Sequence, residues 1–246
     1  RLKYSHAEST TWDDAPMHRY TPANRGTRSL NGRRLHDPSI AWEVEIDDQI
    51  KAAPTALDDM VYLGAEDHTV YALEATTGET VWKYERDDSY STGLGDLFGD
   101  GGTWYSNRSS PAVVGTELYI GHCRSTGAEF YKLNTETGKC QWTYTADADV
   151  FSSPAVVDRI VYIGTSSGNV VALNTVTGTV QWKADIANEL TASPTVVGGV
   201  VYIGSMDGTV HALDAVDGTE QWTHATGDCI TATPAVSGGT VYIGSY

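Results

Sequence analysis

The side chains in this sequence with the chemistry to make a site are thiols, imidazoles and clustered carboxylates. The 246-residue chain holds three cysteines, at Cys123, Cys140 and Cys229, and seven histidines. Zinc sites need Cys or His ligands at short, fixed spacings. The histidines never form such a pair, and His122-Cys123 is adjacent but has no partner at a ligand spacing. The run from Gly95 to Gly102, GDLFGDGG, puts Asp96 and Asp100 in one glycine-rich loop. It lacks the alternating oxygen ligands of an EF-hand, so no metal is expected there. No GxSxG elbow, P-loop or dinucleotide fingerprint occurs. Ser109-Ser110 and Ser152-Ser153 each precede a proline and read as small residues lining a narrow channel rather than as nucleophiles. No catalytic set emerges, and catalytic residues are expected to be absent.

Recognition chemistry is better represented. Between Trp82 and Pro111 lie Tyr90, Asp96, Phe98, Asp100, Trp104, Tyr105 and Arg108, with His122 and Arg124 a little further on. Aromatic, acidic and basic side chains gathered in loops on a rigid scaffold commonly carry binding. Tyr90, Asp96, Asp100, Trp104, Tyr105, Arg108, His122 and Arg124 are therefore the candidate partner-binding residues.

The scaffold that must position them is a repeat. Tryptophans stand at Trp42, Trp82, Trp142, Trp182 and Trp222, at intervals of 40, 60, 40 and 40 residues. Prolines follow at Pro54, Pro111, Pro154, Pro194 and Pro234, 12 residues after the Trp except once, where the gap is 29. A YIG or YLG triplet ends at Gly64, Gly121, Gly164, Gly204 and Gly244. A period near 40 with four short apolar runs per unit predicts an all-β fold, a β-propeller of four-stranded blades. In one unit Thr195–Val197 is strand A and Val200–Gly204 strand B, a continuous apolar run suited to burial on both faces. Asp207-Gly208 is a hairpin turn, Thr209–Leu213 strand C, Asp214–Gly218 a second turn and Glu220–Thr223 the outer strand D. The five Trp are expected in the core, each worth roughly 4–6 kcal/mol of burial as an upper bound.

Blades then run over 53–86, 110–145, 153–186 and 193–225, and a fifth begins at Thr233 with strands A and B only. Ala41–Ile46 reads as a lone strand D. The fifth blade is completed by the N-terminal strand or belongs to a longer propeller; another chain closing the ring is the third possibility, since open edges invite pairing and so a homo-oligomer. Residues 1–39 are an irregular segment and 40–246 the propeller domain. The connection after Trp82 is 17 residues longer than its counterparts, and the second blade spans 31 rather than 28 residues from Pro to Trp, with the addition near Arg124–Gly127. D–A and B–C loops emerge on the same face, so both insertions enlarge one face.

The stretch from Ala72 to Trp82, ALEATTGETVW, resembles the tryptophan-docking motif AxDxxTGxxxW of the pyrroloquinoline quinone (PQQ)-like propellers. Lys132–Trp142, Ala172–Trp182 and Ala212–Trp222 repeat it, with Lys132 in place of Ala and Asp217 in place of Thr. Its third position is Glu74, Asn134, Asn174 or Asp214, always an acceptor. The resemblance covers roughly residues 41–246. It makes Trp42, Trp82, Trp142, Trp182 and Trp222 structural docking residues. The family holds PQQ-dependent dehydrogenases and cofactor-free members, among them the outer-membrane assembly lipoprotein and sensor domains attached to kinases. The dehydrogenases imply PQQ with calcium and, in many, a disulfide between adjacent cysteines; this sequence has no such cysteine pair. The resemblance therefore implies a non-catalytic scaffold that takes a protein or peptide, with no cofactor. The alternatives are a fragment of a PQQ-dependent dehydrogenase and a ligand-sensing domain of a larger signalling protein.

The formal net charge is −16, from 32 acidic and 16 basic residues. Phosphates and anionic membrane surfaces would be repelled, which excludes nucleic acid as partner and disfavours lipid. An acid load with little lysine suits a halophile, where salt screens self-repulsion, and points to a haloarchaeal source. The basic cluster Arg25, Arg28, Arg33 and Arg34 is expected to dock on the acidic body. The three thiols are expected to be free, because Cys123 ends a B strand and Cys140 begins a D strand at the other end of the blade. No stretch suffices to span a bilayer. The first residues are expected to follow a processed or cut leader. An extracytoplasmic or cell-surface location fits, with a cytoplasmic sensor as the alternative.

Overall fold

The computed structural model describes residues 2–6, 39–46, 48–85, 108–123, 128–186 and 188–246. All regular structure in these residues is antiparallel β, in four four-stranded sheets flanked by two two-stranded ones. The N-terminal pair is β1 (Leu2–His6) with β2 (Ser39–Val44). Blade 1 is β3 (Thr55–Leu57), β4 (Met60–Gly64), β5 (Thr69–Glu74) and β6 (Thr80–Glu85). Blade 2 is β7 (Ala112–Val114), β8 (Glu117–His122), β9 (Glu129–Asn134) and β10 (Cys140–Thr145). Blade 3 is β11 (Ala155–Val157), β12 (Ile160–Gly164), β13 (Asn169–Asn174) and β14 (Val180–Asp185). Blade 4 is β15 (Thr195–Val197), β16 (Val200–Gly204), β17 (Thr209–Asp214) and β18 (Glu220–Ala225). The chain ends on β19 (Ala235–Ser237) and β20 (Thr240–Tyr242). Each sheet follows sequence order, and the first strands of successive blades touch one another, which makes them the inner ring of a β-propeller.

The register explains the motif. In blade 3, Ala155, Tyr162, Ala172 and Trp182 lie opposite one another across all four strands. A small residue on strand C lets the strand B tyrosine reach the strand D tryptophan, with ring centroids 5.8 Å apart. The same pair recurs as Tyr62–Trp82, Tyr119–Trp142 and Tyr202–Trp222 at 5.9–6.0 Å. This row faces the next blade, so the apolar core is divided into four clusters, each bridging two neighbours. Stability is then a sum over nearest-neighbour interfaces.

The tryptophans lock each interface with a hydrogen bond. Nε1 of Trp42, Trp82, Trp142 and Trp182 donates to the backbone carbonyl of Ala75, Thr135, Thr175 and Ala215 at 2.7–3.0 Å. Each acceptor belongs to the C–D turn of the following blade. Those turns are held by the motif's acceptor: Asn134 Oδ1 takes the N–H groups of Glu136 and Thr137, and Asn174 Oδ1 those of Val176 and Thr177. The turn glycine lies flat beneath the incoming indole. Lys132, the departure from Ala, is buried and donates to Glu117 Oε1 at 2.5 Å and to the Thr175 carbonyl at 2.8 Å, so it reaches the same acceptor as Trp142.

Two expectations are corrected. The strand at Trp42 is not alone: β2 pairs with β1, Tyr4 opposite Trp42. An isolated strand leaves its ladder groups unpaired, and the N-terminal residues supply the partner. Among the described residues no ladder joins this pair to β19–β20, so the fifth unit is a half-blade here. Nor are the five tryptophans equally buried. Trp42 and Trp182 are 8 % and 9 % exposed, Trp82 and Trp142 are half-buried, and Trp222 is 41 % exposed. They stand on the outermost strand, so burial comes from the next blade's turn, and Trp222 has no such turn against it among the described residues.

Burial raises the phenol pKa of Tyr62, Tyr119 and Tyr162, the last to about 12. In the unfolded chain tyrosine ionises near 10. The folded state therefore holds protons that the unfolded state has released between about pH 10 and 12, and stability falls as pH rises through that window. Melting midpoints are expected to drop above about pH 10, with phenolate absorbance from the buried tyrosines rising only as the fold is lost. Complete phenolate formation in the folded protein near its ordinary pKa would contradict this.

Candidate functional site

In blades 1, 3 and 4 the B–C loop is bonded to the connector that enters the blade. Glu66 N donates to the Gln49 carbonyl at 2.9 Å, Ser166 N to Asp149 at 2.8 Å and Met206 N to Glu189 at 3.1 Å. D–A connectors and B–C loops thus share one face, and the opposite face carries the A–B hairpins and C–D turns. The two enlarged connections of the sequence, 86–107 and 124–127, both leave the described strands on the first face. Of the candidate partner-binding residues, Tyr90, Asp96, Asp100, Trp104, Tyr105 and Arg124 lie outside the described residues. Arg108 and His122 are described, and they line different cavities.

His122 is 6 % exposed and builds a wall between blades 1 and 2. Its ring meets His68 edge-on, with centroids 5.2 Å apart, and lies 6.3 Å from Tyr131, which in turn packs on Tyr84. The cleft among these rings has about 10 Å³ of free space, on the order of one water. It is an interlock rather than a ligand pocket. Beside it Cys123 is fully buried, and burial pushes its thiol up to about 12. Cys140 is exposed and all three thiols are free. At neutral pH a thiol-alkylating reagent is expected to modify Cys140 rapidly and to leave Cys123 unmodified until the chain unfolds. Mass spectrometry of the native protein showing Cys123 alkylated as fast as Cys140 would contradict this.

Arg108 lies at the propeller axis. Its guanidinium sits 5.3 Å from the centre of the Phe151 ring, and both line a cavity of about 320 Å³. Two rings of residues make the wall. The position just before each repeat proline supplies Ala53, Ser110, Ser153, Ser193 and Thr233. These stitch blade to blade: Ala53 N donates to Ser110 Oγ at 3.0 Å, Ser110 N to Ser153 Oγ at 3.0 Å, and Ser153 N to Ser193 Oγ at 2.9 Å. The paired serines Ser109 and Ser152 do a different task, accepting the N–H of Gly121 and Gly164 within their own blades at 3.1 and 2.8 Å. Three residues before each proline stand Lys51, Arg108, Phe151, Thr191 and Thr231, which form the outer ring of the mouth. Lys51 pairs with Glu66 at 2.6 Å.

Sequence reading found Arg108 but not Lys51, Phe151, Thr191 or Thr231, although the shared offset from proline was a readable signal. Calcium takes six to eight oxygen ligands, carboxylates foremost. Among the described residues the cavity wall has hydroxyls and cations and no carboxylate or side-chain amide, a donor set unlike the oxygen ligands that calcium takes. Among the described residues no group of three or more His, Cys, Asp or Glu is arranged to hold a metal ion, and no helix is long and apolar enough to cross a membrane.

The sequence profile described as outer membrane protein assembly factor BamB matches residues 35–121 and again 100–246. The chain is 28 % identical over 129 residues to outer membrane protein assembly factor BamB of Salmonella typhimurium, covering 49 % of this chain and 30 % of that protein. It is 32 % identical over 136 residues to quinohemoprotein alcohol dehydrogenase of Comamonas testosteroni, covering 53 % of this chain and 19 % of that protein. The crystal structure of BamB from Moraxella catarrhalis superposes with a TM-score of 0.67 at 22 % identity, over 84 % of this chain and 61 % of that one. That likeness concerns the fold. The chain spans less than a third of the length of these two curated relatives.

Proposed function

Because the chain belongs to the PQQ-like repeat family described as outer membrane protein assembly factor BamB, we propose that it is a non-catalytic propeller scaffold that binds a protein or peptide on its loop-enlarged face. The observation that supports this reading is the bonding of the B–C loops of blades 1, 3 and 4 to the connectors that enter those blades; with the same arrangement in blade 2, both oversized connections fall on one face of the propeller. Residues 40–246 serve as the binding domain and residues 1–39 as an accessory segment. The partner is neither nucleic acid nor an anionic membrane, because a chain of charge −16 repels phosphates. The same charge suits an extracytoplasmic, salt-rich setting in which screening is strong. Similarity to a quinohemoprotein dehydrogenase over 136 residues favours a second reading, a quinoprotein propeller, and the lining of the axial cavity speaks against it.

Site-specific photocrosslinking tests the reading. A photoreactive residue is placed at Gln49, exposed on the loop face, or at Val176, 63 % exposed on the opposite face. A discrete protein adduct from Gln49 and none from Val176 is expected. Equal adducts from both faces, or none from either, would overturn the assignment of the face.

A further inference from the structure

We propose that the axial cavity on this face is a carboxylate-binding site, filled by a small organic acid or by the acidic side chain or C-terminus of a peptide. The wall is rich in donors and poor in acceptors. Ser110, Ser153 and Ser193 are 4–7 % exposed, and each Oγ already accepts a backbone N–H from the neighbouring blade. A hydroxyl has one donor and two acceptor sites. Each serine therefore keeps its O–H proton, and that proton has no acceptor among the described residues. The stitching that joins blades 1 to 4 thus leaves three hydroxyl donors at the cavity wall.

Two cations stand above them. Arg108 is braced on Phe151, which pre-sets the guanidinium; its planar fork matches a carboxylate bidentately. Lys51 is ion-paired with Glu66 at 2.6 Å and has ammonium donors to offer a ligand. The placement is not a consequence of overall composition, since the chain has twice as many acidic as basic residues. Among the described residues no carboxylate lines the cavity. At about 320 Å³ it falls at the small end of ligand pockets, and Phe151 offers an apolar surface for a short carbon chain. An anion here leaves no charge unpaired, whereas a cation or a neutral apolar ligand would meet unmatched donors. This site goes beyond the partner reading: uptake by the cavity and adduct formation from Gln49 are measured separately, and either can fail alone.

The test is isothermal titration of the full chain at fixed ionic strength, because surface charge effects vary with salt. The probes are citrate, the peptide N-acetyl-Ala-Asp, and the corresponding amides. Saturable binding at one site is expected for a carboxylate probe and none for the amides. Arg108→Gln and Lys51→Gln are each expected to weaken it at least about tenfold, the scale of one charge-assisted hydrogen bond. Lys139→Gln, which removes the same charge from the exposed opposite face, is expected to change nothing. Binding of citrate alone identifies a free acid as the source; binding of both identifies a carboxylate that a peptide can also bring. Arg108→Lys, which keeps the charge, covers the case in which Arg108→Gln fails to fold, and is expected to retain part of the affinity. Absence of saturable binding by either carboxylate, equal binding of the amides, or equal weakening by Lys139→Gln would overturn the proposal.

Discussion

Trp182→Ala is expected to destabilise the protein by about 3–5 kcal/mol, and Trp222→Ala by less than about 1 kcal/mol. The two residues occupy the same motif position on successive blades and have the same tyrosine neighbour, Tyr162 or Tyr202, at 5.8 and 5.9 Å. What differs is the following blade. Trp182 is 9 % exposed, sits in the cluster between blades 3 and 4, and donates Nε1 to the Ala215 carbonyl at 3.0 Å. Truncation removes an aromatic from a packed interface and leaves a cavity. It also leaves the Ala215 carbonyl with the Tyr162 hydroxyl as its remaining side-chain donor, at 3.1 Å. Trp222 is 41 % exposed, with no Nε1 acceptor among the described residues. Urea denaturation of the two variants decides the matter. Equal losses would mean that the tryptophan stabilises its own blade and that docking on the next contributes little.

Gly178→Ala is expected to cost about 2–4 kcal/mol, against about 1 kcal/mol for Gly198→Ala. Both glycines adopt left-handed backbone, with φ of +71° and +62°, so both substitutions carry the conformational penalty of a Cβ in that region. Only at Gly178 is there also a steric term. A Cβ there would lie 2.8 Å from Cδ2 of Trp142, whereas at Gly198 nothing lies within 4 Å. The indole must therefore retreat from the turn, which loosens its 2.9 Å bond to the Thr175 carbonyl. The TG of the motif is thus a footprint of the preceding blade's tryptophan. Should the two variants melt alike, the contact between turn and indole is not stabilising and the motif's glycine serves the turn alone.

The fold was legible because its spacing is made by physical contacts that recur. Trp182 needs Ala172 across the ladder, Gly218 beneath the ring and a carbonyl at Ala215, so each unit repeats these residue types at constant offsets. The graded exposure of the tryptophans was not legible, since it depends on the neighbouring blade and not on the residue itself. The pairing of Leu2–His6 with Ser39–Val44 was hidden for a similar reason: nothing in five polar and apolar residues marks a partner across the intervening segment. At the site, Arg108 stood out as a charged residue in an insertion. Lys51 and Phe151 did not, because the offset of three before proline marks a position without saying that it faces the axis. His122, singled out as a contact residue, packs edge-on against His68 between blades 1 and 2.

The central claim is that the loop-enlarged face, and not the blades' opposite face, holds the partner. The most direct measurement uses the protein crosslinked from Gln49 and compares its affinity for the full chain with that for a variant lacking residues 88–105. The variant's melting midpoint is measured alongside to show that the blades remain folded. A loss of affinity of at least about tenfold, roughly the contribution of one interface hot spot, is the predicted result. Unchanged affinity in a folded variant would contradict the account and move the partner away from the enlarged connection.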